Sequence, residues 1–425
     1  MKASRRAVAP DARTAPRGRT AAHVEIGNTV ALRTVLGATA VGLASALVAV
    51  TAGLAFVTVR VARRVVMPAR RAADTRILDV DVAAQTITLG RTPDTALPGR
   101  YGLFTTGATD YLKIGSVLAS DAGTVKRKLL TEVEGDMHLA PEAAFSGWYF
   151  HQPEELHLPF TQEYIPSALG PCPAWLFPAE TDGETSDRWV IQIHGRGTTR
   201  AECLRAVPVF HALGVTSLIV SYRNDGDAPR TRSGTYALGA TEWRDVDAAI
   251  TWAHRRGARR ILLMGWSMGG AIALQVALGS AHREEIVGVV LDSPVVDWRT
   301  VLNYQGHELG LPAPVTGLAI GTLGTEWASP ATGADGGIPF DRLDIVARAA
   351  ELRHPVLILH SDDDGFVPSS ASHALAAARP DLVELQSFET ARHTKLWNYD
   401  QQRWTRAIED WLRRHDPTLA EENAP

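Results

Sequence analysis

From about residue 171 onward, short apolar runs alternate with segments of helical periodicity. This alternation constrains the fold more than any other feature of the chain. Arg188-Trp189-Val190-Ile191-Gln192-Ile193, Val215 to Ser221, Ile261 to Met264, Ile286 to Leu291, Pro355 to Leu359 and Leu382 to Phe388 read as strands. Between and after them lie helical segments: residues 200–213, a stretch in which Trp243, Val246, Ile250 and Ala253 recur on one face, a helix opening at Ser267, and an amphipathic helix over 397–414. Strands that are apolar throughout are buried on both faces, so they predict a mostly parallel sheet covered by helices. Ligands of such sheets sit at the carboxyl ends of the strands. Residues 298–340, rich in Gly, Pro and Thr, break the rhythm and read as an insertion over that edge.

One of those strand-to-helix junctions carries chemistry. Gly265-Trp266-Ser267-Met268-Gly269 follows an apolar strand and opens a helix. A serine on so sharp a turn is held in a strained backbone, and glycines on both sides let strand and helix approach closely. The helix N-terminus beneath it favours negative charge. A serine hydroxyl needs a base, and the base needs an orienting carboxylate. In chain order, the acid is expected after a late strand and the histidine after the last one. Asp362, Asp363 and Asp364 all lie in the segment Leu357-Ile358-Leu359-His360-Ser361-Asp362-Asp363-Asp364-Gly365-Phe366-Val367-Pro368.

At these residues the chain resembles the α/β-hydrolase superfamily, and in particular its serine-aminopeptidase-like and related hydrolases, over about 171–415. The loop commonly reads H-G-x-x-D-x-x-V-P there, with its last Asp catalytic. Alignment on His360 and Val367-Pro368 selects Asp364, with Asp362 as the fallback; Ser361 departs from the usual Gly. The resemblance implies that His393, just after the last strand, is the general base. His360 and His373 are rivals by residue type only. An oxyanion hole needs two backbone N–H groups. The resemblance implies Met268 for one and Arg196, in His194-Gly195-Arg196-Gly197, for the other, with His194 structural. Ser221-Tyr222-Arg223-Asn224-Asp225-Gly226 resembles the Y-R-x-x-G-x-S loop of peptidase- and esterase-like members. Gly239 to Ile250, which includes Thr241 to Val246, resembles the helix before the nucleophile strand. The implied chemistry needs no metal and no organic cofactor.

The N-terminal part reads differently. Thr34 to Val59 holds no charged residue over 26 positions. At about 1.5 Å per residue it spans a bilayer core with some tilt. A transmembrane helix over 29–64 is the expectation. A buried core helix and a cleaved signal peptide, with Ala44-Ser45-Ala46 resembling a cleavage site, are the alternatives. Within about 20 residues of the span, six Lys/Arg follow it and three precede it, which favours a cytoplasmic body. Residues 1–28 and 416–425 are expected to be disordered.

Residues 77–170 read as β-rich, with no chemistry motif. Their His138, His151 and His157 are expected to be surface or packing residues. Residues 1–76 carry a net charge of +10 and the remaining 349 residues −14. An acidic body argues against a nucleic-acid partner. Cys172 and Cys203 are too few for a disulfide framework.

The expected function is a membrane-anchored serine hydrolase that cleaves a small-molecule or lipid-like ester, thioester or amide through an acyl-enzyme. Acyl transfer on the same triad, and a non-catalytic binding module on the same fold, are the alternatives.

Overall fold

The computed structural model describes residues 22–68, 73–105, 111–134, 139–181 and 184–416. The chain divides into two compact units, residues 1–57 and 58–425. The first holds most of one long helix, α1 (Ala22–Val66). Its stretch from Arg33 to Val66 contains an 18-residue window with a mean hydropathy of 2.2 and is long and apolar enough to cross a membrane. A signal sequence near an N-terminus passes the same test. The helix starts at Ala22, so residues 22–28, expected to be disordered, are helical. The earlier part of the expected basic arm, residues 1–21, lies outside the described residues.

The second unit begins with the last turns of α1 and a closed six-stranded antiparallel barrel. The barrel strands are β1 (Thr75–Asp81), β2 (Thr86–Gly90), β3 (Tyr101–Thr105), β4 (Tyr111–Ser120), β5 (Thr124–Leu129) and β6 (Glu142–Ser146), in the order β1-β2-β5-β4-β3-β6. Alternate residues such as Ile87, Leu89, Leu103, Leu112 and Ile114 point inward and form its core. Arg127 is buried there and donates to the carbonyls of Thr95, Leu97 and Gly99, pinning the loop before β3. His151 stacks on Tyr111, and His157 ends a 3-10 turn in left-handed backbone; His138 lies outside the described residues.

The remainder builds an eight-stranded sheet. Its strands are β7 (Thr161–Ser167), β8 (Gly170–Phe177), β11 (Arg188–Ile193), β12 (Thr216–Val220), β13 (Arg260–Trp266), β14 (Ile286–Asp292), β15 (Val356–Ser361) and β16 (Val383–Phe388). The order is β16-β15-β14-β13-β11-β12-β8-β7, and a two-stranded ladder of β9 (Glu180–Thr181) and β10 (Glu184–Thr185) lies outside it. The six strands from β11 on pair in parallel, while β7 and β8 extend the sheet antiparallel. The sheet therefore begins at Thr161. The boundary drawn at 171 from sequence cuts the β7–β8 hairpin, because alternation of strand and helix starts only after that hairpin.

Helices cover both faces: α2 (Val207–Ala212), α3 (Trp243–Arg255), α4 (Met268–Gly279), α9 (Ser370–Ala378), α10 (Leu396–Tyr399) and α11 (Gln401–His415). Successive strand residues feed opposite cores, Ile191 and Leu263 on one side, Val190 and Met264 on the other. This is the two-sided burial that continuous apolar strands require. The segment 298–340, read as an insertion, carries the helices α5 (Trp298–Glu308), α6 (Ala313–Leu323) and α7 (Ser329–Thr332) and the start of α8 (Phe340–Leu343). Gly306 permits α5 and α6 to touch there, since a Cβ at that position would lie 2.4 Å from Thr316 Oγ1. The final helix is split at Asp400, whose side chain caps α11 by accepting from the Arg403 N–H. Asp416, expected in a disordered tail, is buried and pairs with Arg260 at 2.5 Å; residues 417–425 lie outside the described residues.

Candidate active site

Strand β13 ends at Trp266 and α4 opens at Met268, so Ser267 makes the whole turn. Its backbone sits at φ 51°, ψ −115°, which a side-chain-bearing residue adopts only under strain. The turn is held by a hydrogen bond from Ser267 N–H to the Asp292 carbonyl, and by the N–H groups of Gly270 and Val295 donating to the Ser267 carbonyl. The flanking glycines are compulsory. A Cβ on Gly265 would lie 2.4 Å from the Gly269 carbonyl oxygen, and one on Gly269 would lie 2.1 Å from that of Ile193.

His393 follows β16 and meets Ser267 across the sheet edge. Its Nε2 lies 3.0 Å from Ser267 Oγ and its Nδ1 lies 2.7 Å from Asp364 Oδ2. A carboxylate only accepts, so Nδ1 carries the proton and the Nε2 lone pair faces the serine hydroxyl. The other oxygen of Asp364 accepts from the N–H groups of Phe366 and Val367. Burial alone would raise the Asp364 carboxyl. Electrostatic attraction to the His393 ring and hydrogen bonds from His360 and His393 outweigh it, so the group is held well below the usual carboxylate range.

The rival residues are engaged elsewhere. Asp362 accepts from Ser369, Ser387 and His373, and Asp363 pairs with Arg392. His360 bonds Ser372 and the Val367 carbonyl, and its Nε2 also lies 3.4 Å from Asp364 Oδ2, so it supports the acid loop rather than facing Ser267. His194 takes Asp225 as its partner at 3.1 Å and stacks on Tyr222.

The loop after β11 lies against the elbow: a Cβ on Gly195 would be 3.3 Å from Ser267 Cβ. The loop is locked by Glu202, which accepts from Gly195 N–H at 2.7 Å and from the Thr198 hydroxyl at 3.0 Å. Among the described residues, neither the Arg196 nor the Met268 backbone N–H finds a protein acceptor. The Arg196 side chain turns away, donating to the carbonyls of Val65 and Met67 at the end of α1.

Two contributors are invisible in the linear pattern. Arg205 donates to the carbonyls of Glu202, Gly147 and Thr394 and to Asn398 Oδ1, so it ties the barrel exit and the His393 loop to the segment after β11. Asp94 of the barrel pairs with Lys395, two residues after His393. Neither belongs to a motif, and each matters only through partners far away in sequence.

Among the described residues, the one group able to hold a metal is His254, His282 and Glu285. It lies where α3 ends and β14 begins, at the amino edge of the sheet, opposite Ser267. The arrangement at the carboxyl edge can activate a serine hydroxyl and offer N–H dipoles to a developing oxyanion.

Residues 206–416 match the prolyl oligopeptidase family, and residues 76–146 match a domain of unknown function (DUF8805). No curated protein matches the chain. Among solved structures, the chain is similar to the Pyrococcus furiosus esterase Pf2001, at 19% identity and a TM-score of 0.48, over 62% of this chain and 93% of that one. It is similar to Est1E from Butyrivibrio proteoclasticus, at 17% and 0.44, over 60% and 98%. It is also similar to a puromycin-hydrolyzing peptidase of Mycobacterium tuberculosis, at 18% and 0.45, over 79% and 46%.

Proposed function

We propose that this serine hydrolase of the α/β-hydrolase superfamily cleaves an ester, thioester or amide through an acyl-enzyme, with Ser267, His393 and Asp364 as its triad. The observation that carries the reading is the continuous chain from Asp364 through His393 to Ser267, at 2.7 and 3.0 Å. Ser267 Oγ attacks the substrate carbonyl carbon while His393 Nε2 takes its proton. The oxyanion so formed accepts from the N–H groups of Arg196 and Met268, aided by the N-terminus of α4. As the tetrahedral species collapses, the bond to the leaving group breaks and His393 returns the proton to that group. A water molecule, deprotonated by the same nitrogen, then releases the acid. Asp364 keeps its negative charge throughout, which fixes the tautomer and stabilises the imidazolium.

The test is labelling of the full chain with a fluorophosphonate. Ser267→Ala is expected to abolish labelling and ester hydrolysis while near-UV circular dichroism stays unchanged. Labelling that persists in the variant would refute the assignment.

The second part of the proposal concerns α1. It anchors the enzyme as one uncleaved helix, with the body cytoplasmic. Support comes from the 26 uncharged residues and from the excess of arginines after the span. A mature N-terminus near residue 47, found by mass spectrometry, would refute the anchor. Protease digestion of the body in intact cells would refute the side.

A further inference from the structure

The cleft onto which Ser267 and His393 open has a volume of about 740 Å³ and two differently built parts. Polar lining comes from the loops after β11 and β16, around the reacting groups. Helices supply most of the apolar lining, with Leu302 of α5, Ala319 and Leu323 of α6 and Val61 and Val65 of α1, while Arg64 of α1, Gln305 of α5 and Thr316 of α6 add polar side chains. Two carboxylates line the cleft. Glu202 is committed to Gly195 and Thr198, and Glu308 sits at the exposed end of α5. Neither is placed as a buried partner for a substrate ammonium, and Arg64 of α1 is exposed, so the buried part of the cleft suits apolar matter.

The α1 residues hold fixed positions in this wall. Thr58, Ala62 and Val66, one turn apart, are buried against the body. The carbonyls at the helix end are capped by the body itself. Arg196 donates to Val65 at 2.9 Å and to Met67 at 3.2 Å, and the Tyr236 N–H donates to Val66 at 2.8 Å. Val295, one of the apolar lining residues, sits beside the elbow, its N–H donating to the Ser267 carbonyl.

From these observations we infer that the cleft receives the apolar acyl chain of an ester or thioester, and that Val61 and Val65 of α1 help set the chain length it accepts. The inference rests on the catalytic reading above and deepens it. The helix that reads as an anchor is then also a specificity element, and the acyl chain is medium to long rather than acetyl.

The experiment uses the full chain in phosphatidylcholine nanodiscs and p-nitrophenyl esters from acetate through butyrate and octanoate to dodecanoate. A buried methylene is worth about 0.8 kcal/mol, so kcat/KM is expected to rise about fourfold per methylene until the cleft is full. Acetate esters of alcohols of the same lengths are expected to give a flat profile. Val61→Trp and Val65→Trp are expected to lower the dodecanoate-to-butyrate ratio by more than about tenfold, the equivalent of two methylenes. Leu43→Trp, at an exposed position earlier in the helix, keeps the wild-type ratio. If a Trp variant no longer labels with fluorophosphonate, Val61→Ala and Val65→Ala decide, with a severalfold fall in the same ratio expected. A flat acyl profile with Ser267-dependent hydrolysis, a rise confined to the alcohol series, or a wild-type ratio in the α1 variants overturns this inference alone. Ester hydrolysis that survives Ser267→Ala overturns the catalytic reading and this inference with it.

Discussion

Replacing Arg205 by methionine is expected to damage stability and catalysis together, although Arg205 touches neither Ser267 nor His393. Its side chain is 1% exposed and its guanidinium supplies four hydrogen bonds: to Glu202 O at 3.1 Å, Gly147 O at 3.1 Å, Thr394 O at 2.7 Å and Asn398 Oδ1 at 2.9 Å. Methionine fills similar volume but leaves these oxygens without that donor. Each stranded acceptor costs about 1–3 kcal/mol, and the relief of no longer burying a cation offsets part of the sum. A net loss of about 3–5 kcal/mol follows, a large share of the ~5–15 kcal/mol that typically separates folded from unfolded states. The catalytic effect comes through Thr394. It follows His393, its backbone is left-handed at φ 51°, and its carbonyl makes the shortest of the four contacts. Freed, this loop lets the imidazole drift, and misplacement by about 1 Å can cost ~10²-fold in rate. Urea unfolding followed by tryptophan fluorescence, with kcat on one ester, measures both effects. Arg205→Lys keeps the charge but loses the planar fork and is expected to recover only part of either. An unfolding free energy within about 1 kcal/mol of wild type together with an unaltered kcat refutes the reasoning.

Asp364→Asn is expected to lower kcat by about 10⁴-fold, because the amide favours the wrong imidazole tautomer, while Asp362→Asn stays active; ester kinetics on both variants check this, and the reverse order overturns the assignment of the acid. Gly269→Ala would stabilise α4 by about 1 kcal/mol if helix propensity ruled, but its Cβ would lie 2.1 Å from one backbone oxygen and 2.6 Å from the next. The expectation is therefore a lowered Tm and poor soluble yield; a raised Tm shows that strand and helix can separate freely. Burial alone would raise the Asp362 carboxyl, but hydrogen bonds from Ser387, His373 and Ser369 bring it down to about 2. A carboxylate depressed in the folded state contributes stability above its ordinary value near ~3.9, and that contribution is lost as pH falls toward the folded value. Thermal scans between about pH 4 and pH 2 are expected to show a shallower decline for Asp362→Asn than for wild type.

Much of this protein is local, and the local part is legible in the chain. The elbow at Gly265 to Gly269 is one strand end, one strained residue and one helix start, and neighbours in sequence fix all three. The parallel sheet follows from strands apolar on every residue, because two-sided burial leaves few other architectures. The uncharged run from Thr34 to Val59 is likewise legible as a helix long and apolar enough to cross a membrane. The acid was a different matter. Asp362, Asp363 and Asp364 are equivalent by type and adjacent by number, and choosing among them leaned on a resemblance. The fold separates them by direction: Asp364 faces His393, Asp362 faces Ser369, Ser387 and His373, and Asp363 faces Arg392.

What the tertiary structure alone decided is everything that depends on distant partners. Arg205 is one of many arginines until Gly147, Thr394 and Asn398 converge on it from three other segments. Thr161 to Ser167 belongs to the sheet because it pairs with the strand after it, whereas its own alternation is equally at home in the barrel. Val61 and Val65 are two more apolar residues of a long apolar helix, and only the docking of its last turns makes them part of a cleft. The physical reason is the same in each case. Periodicity and turn chemistry act between residues a few positions apart, and a chain records them in its order. A hydrogen bond or a cavity wall needs only nearness in space, so the sequence fixes its members without recording that they meet.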